Sequence, residues 1–282
     1  MTVRQLQNNN GNITIAAFDQ RGSLAKLLGV DPASESGRQT ITRLKELFME
    51  TFSPICSAVL VDPEFGLSIL EKKDPKAGLL LSLERSSYDA DDKDALPLLY
   101  DKWGVREITS HGAAVKLLVF YHPESHAAKE KLQFIRKTQE ECKQLEVPFL
   151  VEPLLYEGKK GWSMSAFDAQ LRMVQDLAPL CDVLKLEFPL GQEEELDDAV
   201  AAKHCEAITK ASSVPWVLLS RGMGYERFIR AVEIAMKHGA HGIAVGRAVW
   251  KEVGEFATWE DQKQFIQSTA KERMERLVTL CV

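Results

Sequence analysis

Asp182-Val183-Leu184-Lys185-Leu186-Glu187-Phe188-Pro189-Leu190 is an apolar run of strand length, closed by Asp182 on one side and by Pro189 and Gly191 on the other. A lysine stands in its middle. Lysine is rarely fully buried without a partner, and burial beside a second cation favours the uncharged amine. The uncharged amine is the form that attacks a carbonyl. Taken alone, the stretch reads equally well as an edge strand whose lysine snorkels to water or pairs with Glu187. The rest of the chain has to decide.

Seven more short runs resemble it: Ile13 to Asp19, Ser57 to Asp62, Ala77 to Glu84, Ala113 to Tyr121, Phe149 to Tyr156, Pro215 to Ser220 and Gly242 to Val245. Most are continuously apolar rather than alternating, as in strands covered on both faces by a parallel α/β arrangement. Between them lie helical patterns. Thr40 to Phe52 carries Ile41, Leu44, Leu47, Phe48 and Phe52 at helical spacing, and Ser165 to Leu177 carries Phe167, Leu171 and Val174. Glu124 to Leu145 is long, lysine-rich and polar-faced, Tyr225 to His238 ends at a glycine fit for a C-cap, and Gly66 to Lys73 has room only for a stub.

Eight strand–helix alternations with no compositional break predict one (β/α)8 barrel over residues 1–282. A last helix, 258–280, is expected to cap that barrel through Phe265, Ile266, Met274 and Leu277 rather than pack on a partner. The rival architecture is a doubly wound open sheet. It normally carries a glycine-rich dinucleotide loop after its first strand, and Phe18-Asp19-Gln20-Arg21-Gly22-Ser23 is not one.

Composition narrows the function. With 45% hydrophobic and 27% charged residues the chain has ample core for a globular protein. A net charge of −6 offers no basic stripe for nucleic acid or an anionic membrane surface. No run reaches membrane-spanning length and the first residues lack a signal-peptide core, so a cytoplasmic location is expected. The five cysteines are scattered without a C-x-x-C pair, against both a disulfide framework and a zinc knuckle. His122 and His126 are four apart, but Pro123 follows the first and no acidic or cysteine partner sits at ligand spacing. No metal and no cofactor is expected.

In a (β/α)8 barrel the C-terminal strand ends build the active site. Here those ends hold Asp19-Gln20-Arg21, Asp62-Pro63-Glu64, Lys116, Glu152, Lys185 with Glu187, Ser220-Arg221-Gly222 and Gly246-Arg247. Any one of these charges alone would pass as structural. Together, Lys116 beside Lys185 would favour the neutral amine on the second lysine, and Glu152 would supply the proton-transfer group such a nucleophile needs. The last two strand ends suggest an anion site, with Gly246, Arg247 and Ala248 opening a helical segment and Ser220 to Gly224 letting backbone approach a ligand. A helix-entry turn with a surface ion pair is the alternative for Gly246 and Arg247, weaker here because barrels often bind phosphate between the loops after strands seven and eight. Gln20 and Arg21 stand on the opposite wall, where they would hold a second anionic group or, for Arg21, simply face solvent.

These residues carry a family resemblance. The chain resembles the tagatose 1,6-bisphosphate aldolase family of class I, Schiff-base aldolases, which includes the sulfofructosephosphate aldolases. The likeness covers nearly the whole chain. It rests on Ala17-Phe18-Asp19-Gln20-Arg21-Gly22, Leu60-Val61-Asp62-Pro63-Glu64-Phe65-Gly66, Gly78-Leu79-Leu80-Leu81 with Tyr88-Asp89, Ala114-Val115-Lys116-Leu117-Leu118, Val183-Leu184-Lys185 with Glu187 and Pro189, and Gly246-Arg247-Ala248.

The resemblance implies Lys185 as the Schiff-base lysine, and Glu152 as acid/base with Lys116 and Asp19 beside it. It implies Ser220, Gly246 and Arg247 at the phosphate of a dihydroxyacetone phosphate half, and Gln20 and Arg21 toward the far end of the substrate. The two branches are mixed. Glu84 to Trp103 resembles the tagatose enzymes, while Val151-Glu152-Pro153, Val214 to Ser220 and Arg247 to Trp250 resemble the sulfosugar branch. Arg221 departs from the small residue expected after the serine, and a cation there bears on anion preference.

The implied reaction is metal-independent cleavage of a phosphorylated ketohexose to dihydroxyacetone phosphate and glyceraldehyde 3-phosphate, or to sulfolactaldehyde on the sulfosugar branch. A phosphosugar isomerase using Glu152 without a covalent step, and a non-catalytic sugar-phosphate sensor, are the readings from other classes. The implied partner is a small anionic sugar, with self-association common in such barrels.

Overall fold

Eight parallel strands close into one barrel in sequence order: β1 (Ile13–Ala17), β2 (Ala58–Val61), β3 (Gly78–Ser82), β4 (Ala114–Tyr121), β5 (Phe149–Leu155), β6 (Val183–Glu187), β7 (Trp216–Leu219) and β8 (Gly242–Val245). All eight expected runs are strands, and the open sheet is excluded by the β1–β8 pairing that runs from Ile13↔Gly242 to Ala16↔Val245. Gly242 makes that closure possible. Its φ is +135°, and a Cβ there would lie 1.8 Å from the Ile13 carbonyl oxygen. The computed structural model describes residues 2–85, 92–157, 162–191 and 196–282. Tyr88 and Asp89 lie outside the described residues.

The outer ring holds α1 (Gly22–Leu28), α2 (Glu35–Phe52), α3 (Val105–Ser110), α4 (Ala128–Gln144), α5 (Ala166–Leu177), α6 (Asp198–Ala211), α7 (Tyr225–Lys237), α8 (Arg247–Trp250), α9 (Trp259–Phe265) and α10 (Lys271–Thr279). Ser34 caps α2 by accepting the Gly37 amide at 3.1 Å, so the helix starts at Glu35, ahead of the apolar stripe that begins at Ile41. That stripe packs Phe48 between Phe18, Phe52 and Trp250, with ring centroids 5.0–5.9 Å apart. The helix α6 was not legible as a helix. It buries only Ala201, Cys205 and Ile208, residues too small and sparse for a clear stripe.

The helices α9 and α10, joined by a π turn at Ile266–Ala270, lie against α2 and α7 and complete the ring that the four-residue α8 leaves short. Phe265, Ile266, Met274 and Leu277 are buried there. At one end of the barrel interior, the 3₁₀ turn Val3–Leu6 brings Leu6 under the strands, where its carbonyl accepts the Ser57 hydroxyl at 2.6 Å. No described helix is long and apolar enough to cross a membrane.

Strand alternation sorts the apolar residues into two cores. Outward residues such as Ala16, Val59, Leu81, Val115 and Leu184 pack on the helices. The inward positions Ile13, Ile15, Ala17, Ala58, Leu60, Leu80, Ala114, Leu150, Val183, Val217 and Ala244 fill the lower barrel with Leu6.

Candidate active site

Two residues further along the inward face, the apolar filling stops. Ala17 is followed by Asp19, Leu60 by Asp62, Ala114 by Lys116, Leu150 by Glu152, Val183 by Lys185 and Ala244 by Gly246, while Leu80 is followed by Ser82 and then Glu84. The last paired position of β5 and β6 is Val151↔Leu184, which sets Glu152 level with Lys185. One Glu152 carboxylate oxygen, Oε2, lies 2.8 Å from Lys185 Nζ and 3.0 Å from Lys116 Nζ. Lys116 Nζ also contacts Asp19 Oδ2 at 2.9 Å and Glu84 Oε1 at 2.7 Å. All five side chains are buried. Three carboxylates and two lysines are thus sealed from water, where an unpaired charge would be strongly disfavoured.

Their electrostatics differ. Burial pushes the Asp19 carboxyl up, but Lys116 and then Lys185 more than offset it and hold the group well below the usual carboxylate range. Burial likewise opposes ionisation of Glu152, and the same two lysines outweigh it, lowering its pKa. Glu84 goes the other way: burial outweighs Lys116 and Arg21 and raises it.

Glu84 is not legible as a site residue in the sequence, because it ends the third run and leads straight into a charged stretch. Its signal is parity with Leu80 and Ser82 on the inward face. Its second oxygen, Oε2, accepts the Leu118 amide at 3.1 Å, and its backbone bridges to Leu99, so the carboxylate is fixed at both ends. Arg21 donates to the Glu84 carbonyl at 3.1 Å and to the Tyr100 hydroxyl at 2.7 Å. It is buried rather than displayed on a wall. Behind it, the fully buried Lys45 of α2 pairs with Asp62, whose other oxygen caps the turn by accepting the Glu64 and Phe65 amides at 2.9 Å each. Lys45 is likewise hidden in the sequence: it falls inside the α2 stripe, four residues after Ile41.

A second corner forms where β7 and β8 end. The Ser220 carbonyl accepts the Met223 amide at 2.8 Å, with φ +47° at Arg221 and +83° at Gly222. Two left-handed central residues are the mark of a type I′ turn, and arginine is an unusual occupant of one. Gly222 faces the Arg247 guanidinium, which a Cβ would approach to 3.7 Å. Gly246 lies against the Ala17 carbonyl, and the Gln20 amide nitrogen would be 3.3 Å from a Cβ there. Ser220, Gly222, Gly246, Arg247 and Gln20 therefore share one corner. Lys251, not anticipated from sequence, reaches the Gly222 carbonyl at 3.2 Å.

The family model for DeoC/LacD family aldolases matches residues 13–252. The chain belongs to that family. Relatives named tagatose 1,6-diphosphate aldolase include one from Listeria innocua, 31% identical over 274 residues, covering 89% of this chain and 80% of the relative. Another, from Streptococcus agalactiae, is 32% identical over 271 residues, covering 88% and 83%. Among solved structures, a Schiff-base-forming fructose-1,6-bisphosphate aldolase aligns with TM-score 0.66 over 99% of this chain and 97% of its own, at 20% identity. An archaeal fructose-1,6-bisphosphate aldolase, with its catalytic lysine bound to a carbinolamine, aligns with TM-score 0.65 over 98% and 96%, also at 20% identity. At that identity the structural likeness speaks for the fold.

In this aldolase a cavity of about 600 Å³ is lined by the ends of β5, β6 and β7 and the segments after them, by His122 after β4 and by Lys93 from the segment between β3 and β4. Glu187 is part of its wall. It accepts the Leu155 amide at 3.1 Å and pairs with Arg221, while burial outweighs that arginine and raises its pKa. Arg221 is therefore tied to Glu187.

Proposed function

We propose that this aldolase cleaves a phosphorylated ketohexose such as tagatose 1,6-bisphosphate to dihydroxyacetone phosphate and glyceraldehyde 3-phosphate, through a Schiff base on Lys185. The observation that carries this reading is the single Glu152 oxygen shared by Lys185 and Lys116. A carboxylate 2.8 Å from the amine can take its proton and return it. With Lys116 on the same oxygen, Glu152 stays ionised and poised to accept.

Neutral Lys185 attacks the C2 ketone, and loss of water from the carbinolamine gives an iminium. Glu152 removes the proton of the C4 hydroxyl. The C3–C4 electron pair moves into the iminium as the bond breaks, leaving an enamine and releasing the aldehyde. Protonation at C3 and addition of water then free dihydroxyacetone phosphate and regenerate the amine. The iminium is the electron sink, so the route needs no metal. Ser220, Gly246 and Arg247 hold the phosphate of the ketone half, with Gln20 beside them. The unshared Asp19 Oδ1, buried and without a hydrogen-bond partner among the described residues, has capacity for a substrate hydroxyl.

Borohydride reduction in the presence of dihydroxyacetone phosphate tests the reading. The expected result is a reduced adduct on the peptide holding Lys185, with Lys185→Arg taking up no mass and showing no cleavage. An adduct on Lys116, or turnover by Lys185→Arg, would overturn the assignment.

A further inference from the structure

Resting on that reaction, we propose that the anionic end of the aldehyde half binds at the β4–β5 end of the 600 Å³ cavity, against Lys93. The direction of the substrate leads there. With the phosphate of the ketone half at the ends of β7 and β8, C2 on β6 and the C3–C4 bond beside Glu152 of β5, the carbons beyond C4 continue over β5 toward β4. The inward positions above Glu152 and Lys116 are Leu154, Tyr156, Leu118 and Phe120, an apolar floor shared with Leu219. Such a floor accepts a carbon chain and leaves its charged end in need of a cation.

Two cations line the cavity. Arg221 is already paired with Glu187. Lys93 has no ion pair among the described residues, and its ammonium stands 5.6 Å from the Phe120 ring centroid, at the rim of the apolar floor. Glu157 also lines the cavity but is exposed to water. His122, stacked on Trp162 at 3.8 Å, is held toward the neutral form by burial and contributes shape rather than charge.

The segment bearing Lys93 is fastened in place. Lys131 of α4 is buried and directs its ammonium to the carbonyl oxygens of Lys93 and of Phe120, the latter at 2.8 Å. The next residue, Asp94, accepts the Ser125 hydroxyl at 2.6 Å and the Tyr156 hydroxyl at 2.5 Å. A buried lysine committed to a main-chain carbonyl is an uncommon device. Here it fixes the backbone from which Lys93 reaches over the cavity. The ligand chemistry is a phosphate or sulfonate oxyanion on a sugar-derived chain, and Lys93 would set the preference for substrates that carry one.

The test compares kcat/KM of the full chain for a ketohexose 1,6-bisphosphate, the matching 6-sulfonate 1-phosphate and the 1-phosphate with a free 6-hydroxyl. In Lys93→Met the preference for the bisphosphate over the 1-phosphate should fall roughly ten-fold or more, as for loss of a hydrogen bond to a charged group. Lys93→Glu should lower it further. A parallel fall for the sulfonate identifies a general oxyanion site; a fall for the bisphosphate alone identifies a phosphate site. Equal losses on all three substrates, or an unchanged preference, would overturn the proposal. Failure of the unaltered protein to form a borohydride adduct would instead sink the underlying reaction.

Discussion

The lower and upper halves of the barrel interior are made by the same strands on the same inward face, and they differ only in what that face carries. Below, Ala17, Ala114, Leu150 and Val183 belong to a buried apolar plug. One step higher, Asp19, Lys116, Glu152 and Lys185 occupy the same columns with charge. The apolar layer gains stability from burial alone, about 25 cal/mol per Å² of apolar surface removed from water. The charged layer must lose hydration and recover it through contacts of 2.7–3.0 Å. Rigidity comes from the lower layer and chemistry from the upper. The sharpest way to break that division is a change in one layer that behaves as though it belonged to the other.

With the Schiff-base lysine left in place, Glu152→Gln should give the largest effect on activity. The amide keeps the volume and a hydrogen bond but cannot accept the proton, so kcat should drop by about 10²–10⁴-fold, the usual range for a general base. Substrate binding, read as KM, should move far less. A loss confined to KM would show that the carboxylate only shapes the pocket.

Leu150→Ala, two residues before Glu152, should do the reverse. Removing that side chain from the packed plug should lower stability by about 2–5 kcal/mol in a denaturant titration. Activity per folded molecule should remain within a few-fold. A collapse of kcat with intact stability would mean that the apolar layer does more than support.

Those two residues also mark what was legible in the chain. The strands could be read because a parallel barrel strand is buried on both faces and so becomes a continuous apolar run. Lys116, Glu152 and Lys185 could be read because they interrupt such runs. Glu84 could not, since it stands where β3 has already ended and only its parity with Leu80 and Ser82 carries it inward. Arg21 reads in the sequence as an open anion ligand, yet Tyr100, nearly eighty residues away, accepts from its guanidinium. Partners that meet only through barrel closure leave no mark in local spacing. The α6 helix was hidden for another reason: small residues fill its inner face where α5 and α7 come close on either side.

The smallest expected effect concerns pH, and it tests whether the charged layer acts as a unit. Asp19 and Glu152 are both lowered by Lys116 and Lys185 against the opposing effect of burial. Their ionised forms therefore stabilise the fold fully above the ordinary carboxylate values of about 4, and that stability is lost as the pH falls through the lowered folded values. Glu84, raised by burial, has the opposite sign: its contribution is present below the ordinary value and is lost as the pH rises through the raised one. The acid limb of kcat/KM should accordingly lie below about pH 4, because the base Glu152 remains ionised there. Lys116→Met removes the cation that touches all three carboxylates, so that limb should move upward toward neutrality, and the acid unfolding midpoint should move with it. A limb that stays in place would mean that Lys185 alone sets the ionisation of Glu152, and that Lys116 belongs to the supporting structure instead.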